Sequence, residues 1–273
     1  MNPDPRAQAT ISFPSLPPSR FRPAPIGMRS FGICESDLAI DFSDRSPAAL
    51  ITRILEQCTI DPEHSLPEDF FLTLSVGKRL ECLLTLAAGE ERRPFNFPFH
   101  CAGCGQKLEM ELTLDEIAEM QRDADLIETV AVRVGGRCIA CRKPSGQDLG
   151  RWEGRVFSDE AEAARAMIDL LAATPVEWSN SDVDDLDRID DAMDEADPLV
   201  NFRCHAACGE CGEPNECLID LCDTALGMLS RLQKLLIVMV HKLASHYHWS
   251  EKEVFAIPHW RRAEYLDLIA AGR

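Results

Sequence analysis

The chain of 273 residues lacks a basic stretch followed by an apolar run near residue 1. Its longest apolar run towards the other end, residues 235–240, is far too short for a bilayer-spanning helix. A soluble, cytoplasmic protein without a membrane partner is therefore expected. Basic residues are scarce: 28 Lys and Arg stand against 46 Asp and Glu, a net charge of −18 that repels phosphate backbones and anionic lipid, so no nucleic-acid partner is expected. Catalytic patterns are missing as well. The stretch VGKRL, around Gly77 and Lys78, has neither the upstream glycine nor the following Ser or Thr of a phosphate loop. His241, His246 and His248 are not arranged as HExxH, and no acid pair is singled out among so many carboxylates. The residues give no ground for an enzyme.

Cysteine is abundant. Twelve occur, and in a reducing compartment paired CxxC spacings favour metal over disulfides. Two of the pairs, Cys101/Cys104 and Cys208/Cys211, are each followed by glycine, in CAGCG and CGECG. A CxxCG turn aims both thiolates at one point, its amides can bond the sulfurs, and the glycine relieves the turn. Zinc takes four ligands, so one turn is half a site.

The spacing of apolar residues predicts an α+β fold: two zinc-knuckle β-hairpin units joined to helices, with a helical C-terminal module. Residues 1–30 hold seven prolines and little periodicity, and read as a disordered tail. Residues 31–157 form an N-terminal α+β half. It starts with a helix from Ser46, a cap, and Pro47, a first-turn residue, and has a second helix over 77–88. A hairpin follows, RPFNFPFHC out and KLEMEL back, then a short helix over 115–120. VAVRV and RCIAC, joined by Gly135-Gly136, read as another hairpin. Residues 158–198 read as a helical connector whose last part sets nine acids against Arg188 on what is expected to be a solvated face; it lacks the glycine and ligand order of a calcium loop. Residues 199–273 repeat the CxxCG hairpin and add a long helix over 223–246, a capping box at Ser250 and Glu253, and a last helix opened by Pro258.

Two arrangements would complete the metal site. Cys138 and Cys141 make a CxxC…CxxC pattern with Cys101 and Cys104, which leaves Cys208 and Cys211 to Cys204 and Cys217. Alternatively the two glycine-marked turns face each other and share one ion. Residues three apart on a strand point to opposite faces, and Cys141 has no glycine after it, which favours the shared site. Superposing the hairpins puts Cys204 on Phe97 and Cys217 on Met110, both apolar strand positions, so packing roles suit them. Cys34, Cys58, Cys82 and Cys222 are read as packing residues. A zinc held by four thiolates has no open position for substrate, and so stabilises the fold.

Trp249, Trp260, Arg261, Arg262 and Tyr265 gather types that anchor protein interfaces, and the same aromatics could instead pack the terminal helices. A zinc-ribbon regulatory or adaptor protein acting on the transcription machinery is the alternative class. Beyond these readings, HYHWSEKEVFAIPHWRRAEYLDLI, the long helix before it and CGECG with CLIDL resemble the C-terminal module of a baseplate family of contractile phage tails and injection systems. These are the T-even-type baseplate proteins, or baseplate hub assembly chaperones. LSVGKRLECLLTLAAG with CAGCGQKLEMELTLDEI resembles its N-terminal half, and VAVRV…RKPSGQDLGRW its middle hairpin and helix. The chain departs from the family in having Ala102 and Gly209 where a proline usually follows the first cysteine, and in carrying Cys138, Cys141, Cys204 and Cys217. The resemblance implies baseplate or hub proteins as partners, a role in assembly or structure, and a place in the cytoplasm or in the finished particle.

Overall fold

The computed structural model describes residues 10–17, 26–44, 46–134, 137–176, 178 and 183–272. The fold is α+β. Each of its local starts has a chemical cause. Helix α1 (Pro47–Cys58) begins at Ser46, whose hydroxyl accepts the Ala49 N–H, and turns Leu50, Ile51, Ile54 and Leu55 inward. After α2 (Phe70–Thr73), α3 (Val76–Ala88) is capped by Ser75 and buried along almost its whole length. Strands β4 (Phe95–His100) and β5 (Lys107–Leu112) form the expected hairpin, with Phe95 opposite Leu112 and His100 opposite Lys107. A capping box at Thr113 and Glu116 then starts α4 (Leu114–Asp125).

Strands β6 (Thr129–Val134) and β7 (Arg137–Arg142) pair as expected; the Gly135-Gly136 turn between them lies outside the described residues. Helices α5 (Gly146–Trp152), α6 (Glu160–Leu171) and α7 (Val183–Ala196) follow. The second CxxCG hairpin is β8 (Phe202–Ala207) with β9 (Pro214–Ile219). The C-terminal helices are α8 (Leu221–Tyr247), α9 (Glu251–Ala256) and α10 (His259–Ala270).

Buried apolar residues fall into three groups. The main core joins α1, α2 and α3, the inner ends of both CxxCG hairpins and the first half of α8. A second core packs Val130, Val132, Ile139 and Cys141 of the middle hairpin against Ile168 and Leu171 of α6 and Leu186 and Ile189 of α7. This core spans the boundary expected near residue 157. A two-stranded hairpin is marginal alone, and this one buries its apolar face under the helices that the sequence suggests as a connector. The third core is small: Val240, Leu243 and Val254, with Tyr247, Trp249 and Tyr265 against them.

The disordered tail needs correction where it is described. Ile11–Ser12 (β1), Gly27–Met28 (β2) and Thr59–Ile60 (β3) form a small antiparallel sheet, and Met28 is fully buried. Arg29 is buried too; its guanidinium makes two bonds to Asp37, at 2.7 and 3.1 Å. Asp37 also accepts the N–H groups of Gly32, Ile33 and Cys34. A buried ion pair needs this many hydrogen bonds to offset its desolvation. The rest of the expected tail, residues 1–9 and 18–25, lies outside the described residues.

Candidate metal centre

Both CxxCG hairpins are two-stranded ribbons rooted in the main core at one end, at Phe95 and Leu112 and at Phe202 and Ile219. The other end of each, the turn, lies beyond the strands and needs a different support. The turns share one backbone frame. Cys101 N–H donates to Gln106 O at 2.8 Å and Gly105 N–H to Cys101 O at 2.9 Å; in the second turn Cys208 N–H donates to Glu213 O and Gly212 N–H to Cys208 O, both at 2.9 Å. Gly105 and Gly212 have φ of +72° and +75°, the left-handed region that explains the glycine after each second cysteine.

The turns face one another. Cys101 Sγ lies 3.6 Å from Cys211 Sγ and Cys104 Sγ 3.7 Å from Cys208 Sγ, and all four sulfurs fall within 4.8 Å of one another. A tetrahedral ion with sulfur bonds of about 2.3 Å separates its ligands by about 3.8 Å, so the cluster has the dimensions of a metal site. Cys101 and Cys208 are buried and Cys104 and Cys211 exposed, giving a centre at the edge of the protein. Close approach is required elsewhere in the turns: a Cβ on Gly103 would sit 3.1 Å from Glu213 Cγ.

The electrostatics favour a cation among these sulfurs. The Cys104 N–H, and after it the Gly103 N–H, the Cys211 sulfur and Asn215, draw the Cys101 thiol down to about 6. At Cys211 the Glu213 N–H favours the thiolate, but the sulfurs of Cys104 and Cys101 outweigh it and push the thiol up to about 12. One thiolate, that of Cys101, forms readily and opposes those of Cys104 and Cys211. A bound cation removes that opposition, so metal binding would release protons.

Asn215 is the functional residue that sequence reasoning missed. It is buried, its Oδ1 accepts the Ala102 N–H at 2.8 Å, and its Nδ2 donates to Glu213 O at 2.8 Å and lies 3.7 Å from Cys101 Sγ. One side chain thus fastens the second turn to the first and reaches a sulfur of the cluster. The signal was present: Asn215 lies on Leu108 when the hairpins are superposed, a polar residue where the other copy is apolar.

The other four candidate cysteines stand apart from the cluster. Cys138 is exposed and Cys141 buried in the second core, on opposite faces of β7, and neither joins the cluster. Cys204 and Cys217 stand opposite each other on β8 and β9, Cys204 in the main core and Cys217 packed on it, as Phe97 and Met110 do in the first hairpin. Burial pushes the Cys58 thiol up to about 12 and the Cys222 thiol to about 11, in keeping with packing residues.

The aromatic and basic set divides. Trp249 stacks on Tyr247 with ring centroids 4.5 Å apart and meets Tyr265 edge-on at 5.4 Å, so both pack the third core. Arg262 is buried and donates to Ile33 O at 2.7 Å, tying α10 to the N-terminal region. Of the five, Trp260, 68% exposed, and Arg261 lie open on the surface. No helix among the described residues is long and apolar enough to cross a membrane. No protein-family model matches this chain, and neither a curated protein nor a solved structure matches it significantly.

Proposed function

We propose that the four cysteines hold one structural zinc ion, and that the chain is a non-enzymatic protein for the assembly or structure of the baseplate of a contractile phage tail or injection system. The observation that carries the first part is the facing pair of turns, with four sulfurs within 4.8 Å. Thiolates alone suit a soft or borderline ion, and four of them leave no site for water or substrate, so zinc here would fix the relative position of two ribbons. Support for the second part comes from the motif resemblance along residues 50–273, from the acidic charge that disfavours nucleic acid, and from exposed Trp260 and Arg261 on α10, types that anchor protein interfaces.

The test keeps the fold intact. Trp260→Ala with Arg261→Ala, expressed in a host that produces the whole particle, should reduce the number of sheathed particles counted by electron microscopy, with zinc content and solubility unchanged. Loss of an anchoring aromatic costs about 2 kcal/mol or more of binding, enough to deplete a moderately tight complex. Normal particle numbers would overturn the assembly role of this surface. Submicromolar binding to duplex DNA would promote the regulator class instead.

A further inference from the structure

A cavity of about 380 Å³ opens between α1, α3, α5 and β9. Its wall is mostly aliphatic, with Ile51, Leu80, Leu149, Leu218 and Ile219 contributing, and the one cationic side chain in it is Arg79. Arg79 is 1% exposed. Its Nη2 donates to Ala48 O at 2.6 Å and to Thr52 Oγ1 at 2.8 Å, both neutral acceptors. Its Nε and Nη1 have no partner, and it makes no ion pair with a described residue. Burial holds this arginine below its ordinary pKa, and the charge remains because guanidinium does not give up its proton in proteins.

No described carboxylate pairs with this charge; those of Glu153 and Glu56 act on it only from a distance. Arg29 is buried with Asp37, and Lys78, its neighbour in sequence, with Glu81 and Asp125 at 2.5 and 2.6 Å. The structure even makes room for the Arg79 head: a Cβ on Gly146, at the start of α5, would lie 1.5 Å from Nη1. A buried cation without a counter-ion is strongly unfavourable, and residues of this kind persist where an anion completes them. Cavities of this volume fall within the lower range of small-ligand sites, where an aliphatic wall binds the body of a ligand and a few polar groups orient it.

We infer that this cavity binds a carboxylate carried on a short aliphatic chain, with the carboxylate at Arg79 and the chain along Leu80, Leu149 and Ile219. Leu218, 65% exposed, borders the mouth, where Asp220 is already occupied in capping α8. The shared chemistry fits both a free fatty acid and the terminal carboxylate of an apolar peptide. This site is separate from the cysteine centre and does not rest on the baseplate reading.

Octanoate is the probe, titrated calorimetrically into the full chain, with octanol as the neutral control. Octanoate should bind saturably and raise the melting temperature, octanol should do so much less, and Arg79→Met should weaken octanoate by about tenfold or more, the loss of a charge-assisted bond. Should Arg79→Met fail to fold, Leu218→Glu decides, since a carboxylate at the exposed mouth leaves the core untouched and should weaken octanoate severalfold in a salt-dependent way. Equal effects of octanoate and octanol, no saturable octanoate binding, or octanoate affinity unchanged in Leu218→Glu would overturn the assignment. A peptide ending in three leucines separates the sources. Binding of its free acid but not its amide supports a polypeptide terminus, and binding of octanoate alone supports a fatty acid.

Discussion

The two cysteine turns belong to two longer copies of one pattern, and the copies have been put to opposite uses. Cys208 lies 107 residues after Cys101, and at that same offset α7, described from Val183, matches α3, which starts at Val76, and α8 begins where α4 begins, Leu221 against Leu114. Helix, hairpin, knuckle and capped helix recur in order. In the first copy the leading helix, α3, is buried and holds its charges inside: Lys78 pairs with Glu81 and Asp125. In the second, α7 turns Asp187, Asp191 and Glu195 to solvent and buries only one side against the middle hairpin. The trailing helices differ in reach, 12 residues in α4 and 27 in α8. Backbone-level devices, meaning turn, glycine and cap, are common to both copies; what the helices bury is not. Local chemistry copies easily, whereas burial depends on neighbours.

The largest effect should come from the cysteine cluster to which both copies contribute. Cys101→Ser and Cys208→Ser should each empty the same site and lower the melting temperature by similar amounts, because binding energy at a structural metal site is folding energy. Elemental analysis of the two purified variants checks this, and full retention of zinc by either would break the symmetry of the comparison.

Next in size is the contrast between the leading helices. Lys78→Met strands two buried carboxylates and should cost about 3 to 5 kcal/mol in urea unfolding, whereas Asp187→Ala on α7 should change stability by less than about 0.5 kcal/mol. Similar costs for the two variants would show that the copies differ less than their burial says.

Asn215 sharpens the comparison at the knuckles. Asn215→Leu makes the second hairpin match the first at this position, where Leu108 stands, and removes the bond to Ala102 N. A loss of about 1 to 2 kcal/mol is expected, with metal affinity reduced about 10- to 100-fold in a chelator competition. Unchanged metal affinity would confine Asn215 to bracing the turn.

The smallest effect belongs to the joint between the two leading helices. Asp197, just after α7, accepts the Gly77 N–H at 3.1 Å through Oδ2, while its Oδ1 has no partner. Gln121 donates to Asp125, which leaves its Oε1 also without a donor, and both orphan oxygens crowd the same point beside Gly77. Burial raises the Asp197 pKa. A carboxyl with a raised folded pKa stabilises fully below its unfolded value, and that contribution fades as pH rises through the folded value. Asp197→Asn, a neutral isostere able to donate to Gln121, should therefore raise stability by about 1 kcal/mol at pH 7. Its advantage should shrink as pH falls towards the ordinary carboxylate range. Thermal melts across that span check the sign, and a pH-independent difference would leave the proton out of this joint.

What the sequence determined by itself was everything set within a few residues. Ser46, Thr113 and Ser250 cap their helices through side chains three residues from the amide they serve. Alternation fits the hairpin registers, and the glycine after Cys104 and after Cys211 marked a turn needing positive φ. The opposite faces of Cys138 and Cys141 follow from strand geometry as well. Tertiary structure decided the rest. Pattern cannot show that Lys78 and Arg79, at the start of α3, are buried, since a long cationic side chain is expected in water unless distant groups surround it. Two-residue strands such as β1 and β2 leave no periodic trace, and their pairing, like the choice of Cys208 and Cys211 as partners for Cys101 and Cys104, joins segments far apart in the chain. Trp249 and Trp260 read alike in sequence; only the packing of α10 against α8 set one against the third core and left the other exposed.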